Sequence, residues 1–288
     1  MNEHYRYNDC KERGRFERLD YTAINVKGER IPKYCNVYTP YGYEEETDKK
    51  YNILYLMHGG GGNPDAWMDS CPLKNLFDNL HAEGLVEPTI VVLPTFYTDG
   101  NASEGMAGQR EFTINFQAEL VRDLMPAVES HYRTYAETAD EAGFKASRMH
   151  RAFGGFSMGS VNTWMSFGHN LDYFAYFMPI SGDCWELEQM GGNKQPEATA
   201  KFLHDAAVNG GYTNRDFFIY ASTGTKDIAY ENLTPQMEAM KAFPDTFAFT
   251  EDDFTTGNVR YDAVPDYVHA YQLVFEYVGN SMPKFFKN

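Results

Sequence analysis

Apolar positions along this chain follow two alternating rhythms. One is a series of short β-prone runs, which predict strands near residues 34–39, 51–57, 89–94, 151–156, 174–180, 217–222 and 246–250. The other is helical spacing. Phe116, Leu120, Leu124 and Val128, with Val121 and Met125 beside them, form one apolar stripe. Comparable patterns predict helices over 160–167, 198–207 and 271–278. Strands interleaved with helices imply an α/β protein, a mixed sheet wrapped by helices. Two longer stretches interrupt the pattern. Residues 94–111 carry Phe96, Tyr97, Gln109 and Arg110, and residues 186–214 are inserted between two predicted strands. Long insertions in a compact domain are often binding loops or lids, so both are expected at a substrate pocket.

The strand near 151–156 runs straight into Gly154-Gly155-Phe156-Ser157-Met158-Gly159, and a helix follows. Strand, sharp turn and helix around Gly-x-Ser-x-Gly form the setting of a nucleophile elbow, in which a strained serine projects its hydroxyl from the sheet. An ordinary tight turn is the alternative for so short a pattern. The machinery that a nucleophilic serine needs is an oxyanion site upstream, then an acid, then a histidine. Upstream, the run Tyr51 to Met57 ends in His58-Gly59-Gly60-Gly61-Gly62-Asn63. Glycines at a strand end let backbone N–H groups face a cavity, and two fixed donors stabilise a tetrahedral oxyanion. The amides of Gly60 and Met158 are the expected pair. A phosphate-binding loop fits poorly, since neither Gly-Lys-Ser/Thr nor Gly-x-Gly-x-x-Gly is present there.

Chain order leaves His169, His204 and His269 as candidate bases. His169 sits at the far end of the helix that starts at the elbow, roughly 18 Å away at 1.5 Å per residue. His204 lies in the amphipathic 198–207 stretch. His269 lies on a loop after a strand-like segment and before the last helix, where a catalytic histidine is expected. The acid is expected at Asp227, just past the strand 217–222 and the turn at Gly224. Its competitors are Asp252, Asp253, Asp262 and Asp266.

The chain resembles the esterase D-like branch of the α/β hydrolases, and within it the feruloyl and acetyl xylan esterases of the first carbohydrate esterase family. The resemblance covers nearly the whole chain. It rests on Val37-Tyr38-Thr39-Pro40-Tyr41-Gly42-Tyr43, on Leu56 to Asn63 with Trp67 shortly after, and on Gly155 to Gly159. It also rests on Ser181-Gly182-Asp183-Cys184-Trp185, Gly224-Thr225-Lys226-Asp227 and His269-Ala270-Tyr271. One departure is local: the family commonly has a glycine shortly before the histidine, and this chain has Pro265-Asp266-Tyr267-Val268. The resemblance implies the α/β-hydrolase fold over residues 1–288 as one domain, a triad of Ser157, Asp227 and His269, and no metal or organic cofactor. It implies hydrolysis of feruloyl or acetyl esters on plant cell-wall xylan, with Trp185, Trp67 and Gly61 expected to touch substrate. The residues do not separate this reading from an acyltransferase. An S-formylglutathione hydrolase and an inactive carbohydrate-binding relative are further alternatives.

Composition narrows the partners. A formal charge of −16 disfavours nucleic acid and anionic membranes, and no apolar run is long enough to span a bilayer. Aromatic residues make up 16% of the chain, with 21 Tyr and 21 Phe, which suits both a large core and a wall for sugar or phenolic ligands. The first residues carry no apolar signal segment, which fits an intracellular protein or a trimmed form of a secreted one. Cys10, Cys35, Cys71 and Cys184 show no metal or redox spacing.

Overall fold

Eight strands form one sheet in the order β1-β2-β4-β3-β5-β6-β7-β8. The computed structural model describes Tyr5, residues 8–98 and residues 105–287. The strands are β1 Arg15–Ile24, β2 Arg30–Thr39, β3 Asn52–Met57, β4 Thr89–Leu93, β5 Arg151–Phe156, β6 Tyr176–Ile180, β7 Phe218–Gly224 and β8 Val259–Val264. β1 pairs antiparallel with β2, and β2 with β4; all other pairs are parallel. Parallel neighbours require crossovers, and helices supply them. These are α1 Ala66–Ser70, α2 Leu73–Ala82, α3 Gly105–Glu119, α4 Met125–Glu129, α5 Glu141–Ala146, α6 Met158–His169, α7 Gly191–Lys194, α8 Pro196–Asn209, α9 Tyr230–Met240 and α10 Tyr271–Ser281.

The central strands are covered on both faces, so β3, Asn-Ile-Leu-Tyr-Leu-Met, is buried at every position. On one face Ile53, Tyr55 and Phe153 pack with Phe116, Val161 and Leu203. On the other, Leu54, Leu56 and Met178 pack with Trp67, Phe77 and Val274. The predicted stripe from Phe116 to Val128 is interrupted. α3 widens into a π turn at Leu120–Leu124 before α4 resumes. Pro126 explains the break: it has no N–H to donate back along the helix, and its ring crowds the preceding turn.

Two expectations need correction. The predicted strands lack β8, read only as a strand-like segment before His269, and they lack β1 altogether; β1 is the harder to read. Its sequence, RFERLDYTAI, alternates charged and apolar residues, as befits an edge strand with one wet face. Conversely, 246–250 is not a strand. Only Phe249 makes a bridge, to Val259. The Asn258 side chain adds to three main-chain bonds that join Ala248 and Thr250 to Asn258 and Val259, accepting from Ala248 N at 2.8 Å and donating to Thr246 O at 3.0 Å. The four cysteines are all free.

Beneath the nucleophile strand lies a buried ion pair. Arg151, at the start of β5, donates Nε and Nη2 to the two oxygens of Glu129 at 2.7 and 2.8 Å. Its Nη1 donates to the carbonyls of Phe144 and Tyr173, and Nη2 also donates to the Ser147 hydroxyl. Glu129 also accepts from Tyr55 and Thr134. Removing one partner strands the other charge in the core. Glu129→Ala is therefore expected to cost about 3–5 kcal/mol of stability, read as a lowered midpoint in urea unfolding; a loss below about 1 kcal/mol would contradict this account.

Candidate active site

The site forms at the carboxyl ends of β3, β5, β6, β7 and β8. Ser157 follows β5 with φ 58° and ψ −116°, a conformation that non-glycine residues rarely adopt. The glycines around it permit the turn. A Cβ on Gly155 would stand 2.6 Å from Gly159, and one on Gly159 would stand 2.5 Å from the Met57 carbonyl. Ser157 N donates to Ile180 O at 2.9 Å, so the turn is pinned to the end of β6.

His269 Nε2 lies 2.9 Å from Ser157 Oγ, and His269 Nδ1 lies 2.7 Å from Asp227 Oδ1. The same Asp227 oxygen accepts Ala229 N at 2.8 Å. Asp227 is buried, and no other candidate acid approaches the histidine. Asp262 is engaged by Arg260 and Tyr220, and Asp266 pairs with Lys226 on the surface. His169 bonds Glu186, and His204 bonds Thr246.

β7 and β8 are adjacent and in register at Gly224 and Val264, which brings the acid and histidine loops side by side. They are also bonded to each other: Thr225 N donates to Val264 O at 2.9 Å, Lys226 N to Tyr267 O at 3.1 Å, and Asp266 N to Thr225 Oγ1 at 3.0 Å. Gly224 must be glycine, since a Cβ there would stand 2.0 Å from Tyr267 O. Asp266 has φ 65°, so the left-handed position before the histidine is filled here by an aspartate.

The glycine turn after β3 faces Ser157. A Cβ on Gly59 would sit 3.3 Å from Ser157 Cβ. Three of the turn's amides are occupied: Gly59 N donates to Tyr271 Oη at 2.8 Å, Gly61 N to Tyr97 Oη at 2.7 Å and Gly62 N to Gly59 O at 3.1 Å. Among the described residues, the Gly60 amide has no protein acceptor. Met158 begins α6, where the first N–H groups lack intrahelical partners. His58, fully buried, is held near pKa 4 by its desolvation and so is neutral. Its Nδ1 contacts Gly59 O at 2.7 Å and its Nε2 contacts Thr95 Oγ1 at 2.8 Å.

Above Ser157 opens a cleft of about 680 Å³, within the range of small-molecule sites. Gly60, Met158 and His269 border it beside the serine, and Trp185, Met190 and Ile228 form its apolar wall. Trp185 is held by Nε1 donating to Asp183 Oδ1 at 2.9 Å, and by Arg110 Nε donating to its carbonyl at 2.6 Å. Asp183 lies buried and its other oxygen accepts Gly192 N at 2.8 Å.

Two expected substrate contacts are not at the cleft. Trp67 is buried under the turn, its Nε1 donating to Met57 O at 3.1 Å and its ring edge-on to Tyr271 at 4.9 Å. Gly61 is exposed at φ 74°, turned away from the cleft with its amide on Tyr97. Of the first inserted stretch, Gln109 reaches the cleft and Arg110 anchors Trp185, while 99–104 lie outside the described residues. The second folds into α7 and α8 and brings Met190 to the wall. Gln109 and Met190 come from the two stretches expected at the pocket, whereas sequence reasoning missed Ile228 and Asn232 as lining residues. Adjacency to Asp227 was an available signal for Ile228; the place of Asn232 depends on tertiary packing.

Sheet order, the strained serine turn and three side chains on loops after β5, β7 and β8 define an α/β-hydrolase fold. The chain belongs to the Esterase family, described as "Putative esterase", whose model matches residues 32–284. It is 42% identical over 280 residues to endo-1,4-beta-xylanase Y of Acetivibrio thermocellus, an alignment covering 97% of this chain and 24% of that protein. The endo-1,4-beta-xylanase/feruloyl esterase of Xylanibacter ruminicola is 28% identical over 212 residues, covering 72% of this chain and 24% of the relative. The chain thus spans about a quarter of the length of these curated relatives. Among solved structures, an alanine mutant of the feruloyl esterase module from Clostridium thermocellum, complexed with sinapinate, is 40% identical. It superposes with a TM-score of 0.85 over 100% of this chain and 93% of that one. A ferulic acid esterase from the anaerobic fungus Anaeromyces mucronatus shares the fold at 19% identity, with a TM-score of 0.74, covering 99% of this chain and 96% of that one.

Proposed function

We propose that this protein is a feruloyl esterase that uses Ser157, His269 and Asp227 as a catalytic triad. The observation that carries the reading is the hydrogen-bonded line from Asp227 through His269 to Ser157, at the floor of a cleft where the Gly60 amide is unused. His269 Nε2 takes the proton from Ser157 Oγ as that oxygen attacks the ester carbonyl, and Asp227 stabilises the imidazolium. The amides of Gly60 and Met158 hold the oxyanion. Collapse of the tetrahedral intermediate breaks the bond to the sugar oxygen, which leaves with the proton from His269. Water, deprotonated by His269, then attacks the acyl-enzyme and frees the acid with Ser157 restored.

The acyl group is assigned from the module that binds sinapinate and from the apolar wall of Trp185, Met190 and Ile228, which suits a flat aromatic ring. Xylan as the carrier of the ester rests on the xylanase names of the relatives. Single-domain organisation over 1–288 is part of the same proposal.

Hydrolysis of methyl ferulate beside 4-nitrophenyl acetate tests the acyl assignment. Turnover of both is expected, and Trp185→Ala is expected to raise the KM for methyl ferulate about tenfold, the loss of roughly 1.4 kcal/mol of aromatic contact. Turnover of the acetate alone would point to a small acyl pocket and an acetyl esterase. An unchanged KM in the variant would leave Trp185 as a packing residue.

A further inference from the structure

A run of four glycines is poorly suited to holding one donor in place, because each glycine samples conformations closed to other residues. Here the run is clamped from both sides. The Tyr271 hydroxyl takes the Gly59 amide, and the Tyr97 hydroxyl takes the Gly61 amide. Both tyrosines are themselves fixed. Tyr271 lies edge-on to Trp67 and to Phe156, at 4.9 and 4.8 Å between ring centres. Tyr97 stacks with His58 at 5.6 Å, lies edge-on to Phe112 at 5.5 Å and donates its own proton to Gln109 Oε1. The Gly59 carbonyl is gripped as well, by His58 Nδ1 and Gly62 N.

We infer that Tyr271 and Tyr97 are positioning residues for the oxyanion site: by taking the two flanking amides they hold the glycine turn in one conformation and leave the Gly60 N–H aimed at the cleft. The inference rests on the esterase reading above, in which Gly60 donates to the oxyanion. Tyr271 stands two residues after His269, so one loop-to-helix junction places both the base and the turn that receives the negative charge. Trp67, absent from the cleft, acts at one remove by bracing Tyr271. A transition-state donor works only where the charge develops, so a small displacement is costly without weakening ground-state binding.

The test uses Tyr271→Phe and Tyr97→Phe in the full chain, with 4-nitrophenyl acetate as substrate and phenylboronic acid as inhibitor. Phenylboronic acid adds to a serine oxygen and carries a boron-bound oxygen into the oxyanion site. Each variant is expected to lose about tenfold in kcat/KM, less than the hundredfold or more that follows deletion of such a donor. The inhibition constant of the boronate is expected to rise by the same factor. That constant does not depend on how much of the enzyme is folded, so a merely structural role would lower turnover and leave it unmoved. Unchanged kcat/KM, or a fall in kcat/KM without weaker boronate binding, overturns the inference. If Tyr271→Phe fails to fold, Tyr97→Phe makes the same measurement from the other side of the turn. Wild-type enzyme without Ser157-dependent hydrolysis would bring down the esterase reading itself, and this inference with it, whereas an enzyme that cleaves only the acetate leaves this test intact.

Discussion

Replacing Ser157 with alanine is expected to lower kcat by about five to six orders of magnitude while leaving the fold in place. Attack on the carbonyl needs the Ser157 oxygen, and no other hydroxyl lies within reach of His269 Nε2 among the described residues. The substitution keeps Cβ, so the strained backbone at φ 58° is asked of alanine much as it is of serine. The bonds that build the turn run through the main chain: Ser157 N to Ile180 O, and Ser160 N and Val161 N to Ser157 O. A thermal melt close to wild type should therefore accompany the loss. Residual turnover would come from the oxyanion site and from binding alone. The measurement is steady-state hydrolysis of methyl ferulate and 4-nitrophenyl acetate by both proteins. Retention of most activity would sink the nucleophile assignment.

Asp227→Asn should be nearly as damaging, with kcat down by about four orders of magnitude. The two side chains have the same shape, so packing is preserved. What changes is hydrogen bonding. The carboxylate accepts from His269 Nδ1 and so keeps Nε2 free to receive the serine proton. An asparagine that turned its amide nitrogen to Nδ1 would favour the opposite tautomer, with the proton already on Nε2. It would also remove the negative charge that stabilises the imidazolium formed during attack. Asp266→Asn is the matched control. That aspartate pairs with Lys226 on the surface, and its loss should change kcat by less than about twofold. Near-wild-type turnover by Asp227→Asn would move the acid elsewhere.

The parts of the fold that were legible in the sequence are those where burial is two-sided. β3, β5 and β7 are buried at every position and mostly apolar, and the glycines at their ends mark where each strand turns. Ser157, Asp227 and His269 could be named because each sits at a strand end and the chain order is fixed by topology; the structure brings them within hydrogen-bonding contact. Edge positions were harder to read. β1 hides behind Arg15, Glu17, Arg18 and Asp20, and the apolar 246–250 segment makes only one bridge, held by a few main-chain bonds to Asn258 and Val259 and by the Asn258 side chain. The family resemblance puts Trp67 at the substrate, yet its closeness along the chain to the glycine turn does not reveal that the ring lies beneath that turn rather than over it. Tyr97 and Tyr271 reach the same turn from 36 and 212 residues away, a convergence that no local pattern encodes.

The bonds between the loops after β7 and β8 have an engineering consequence. The acid and the base ride on one platform tied by three bonds, while the wall residue Met190 belongs to a separate excursion of the chain between Trp185 and β7. Nothing in residues 186–214 bonds to Ser157, Asp227 or His269. α8 within that excursion is fixed by Leu203 in the core, so the part open to change is 187–190, where substitutions or short insertions would reshape the acyl chamber while the chemistry beneath it stays in alignment.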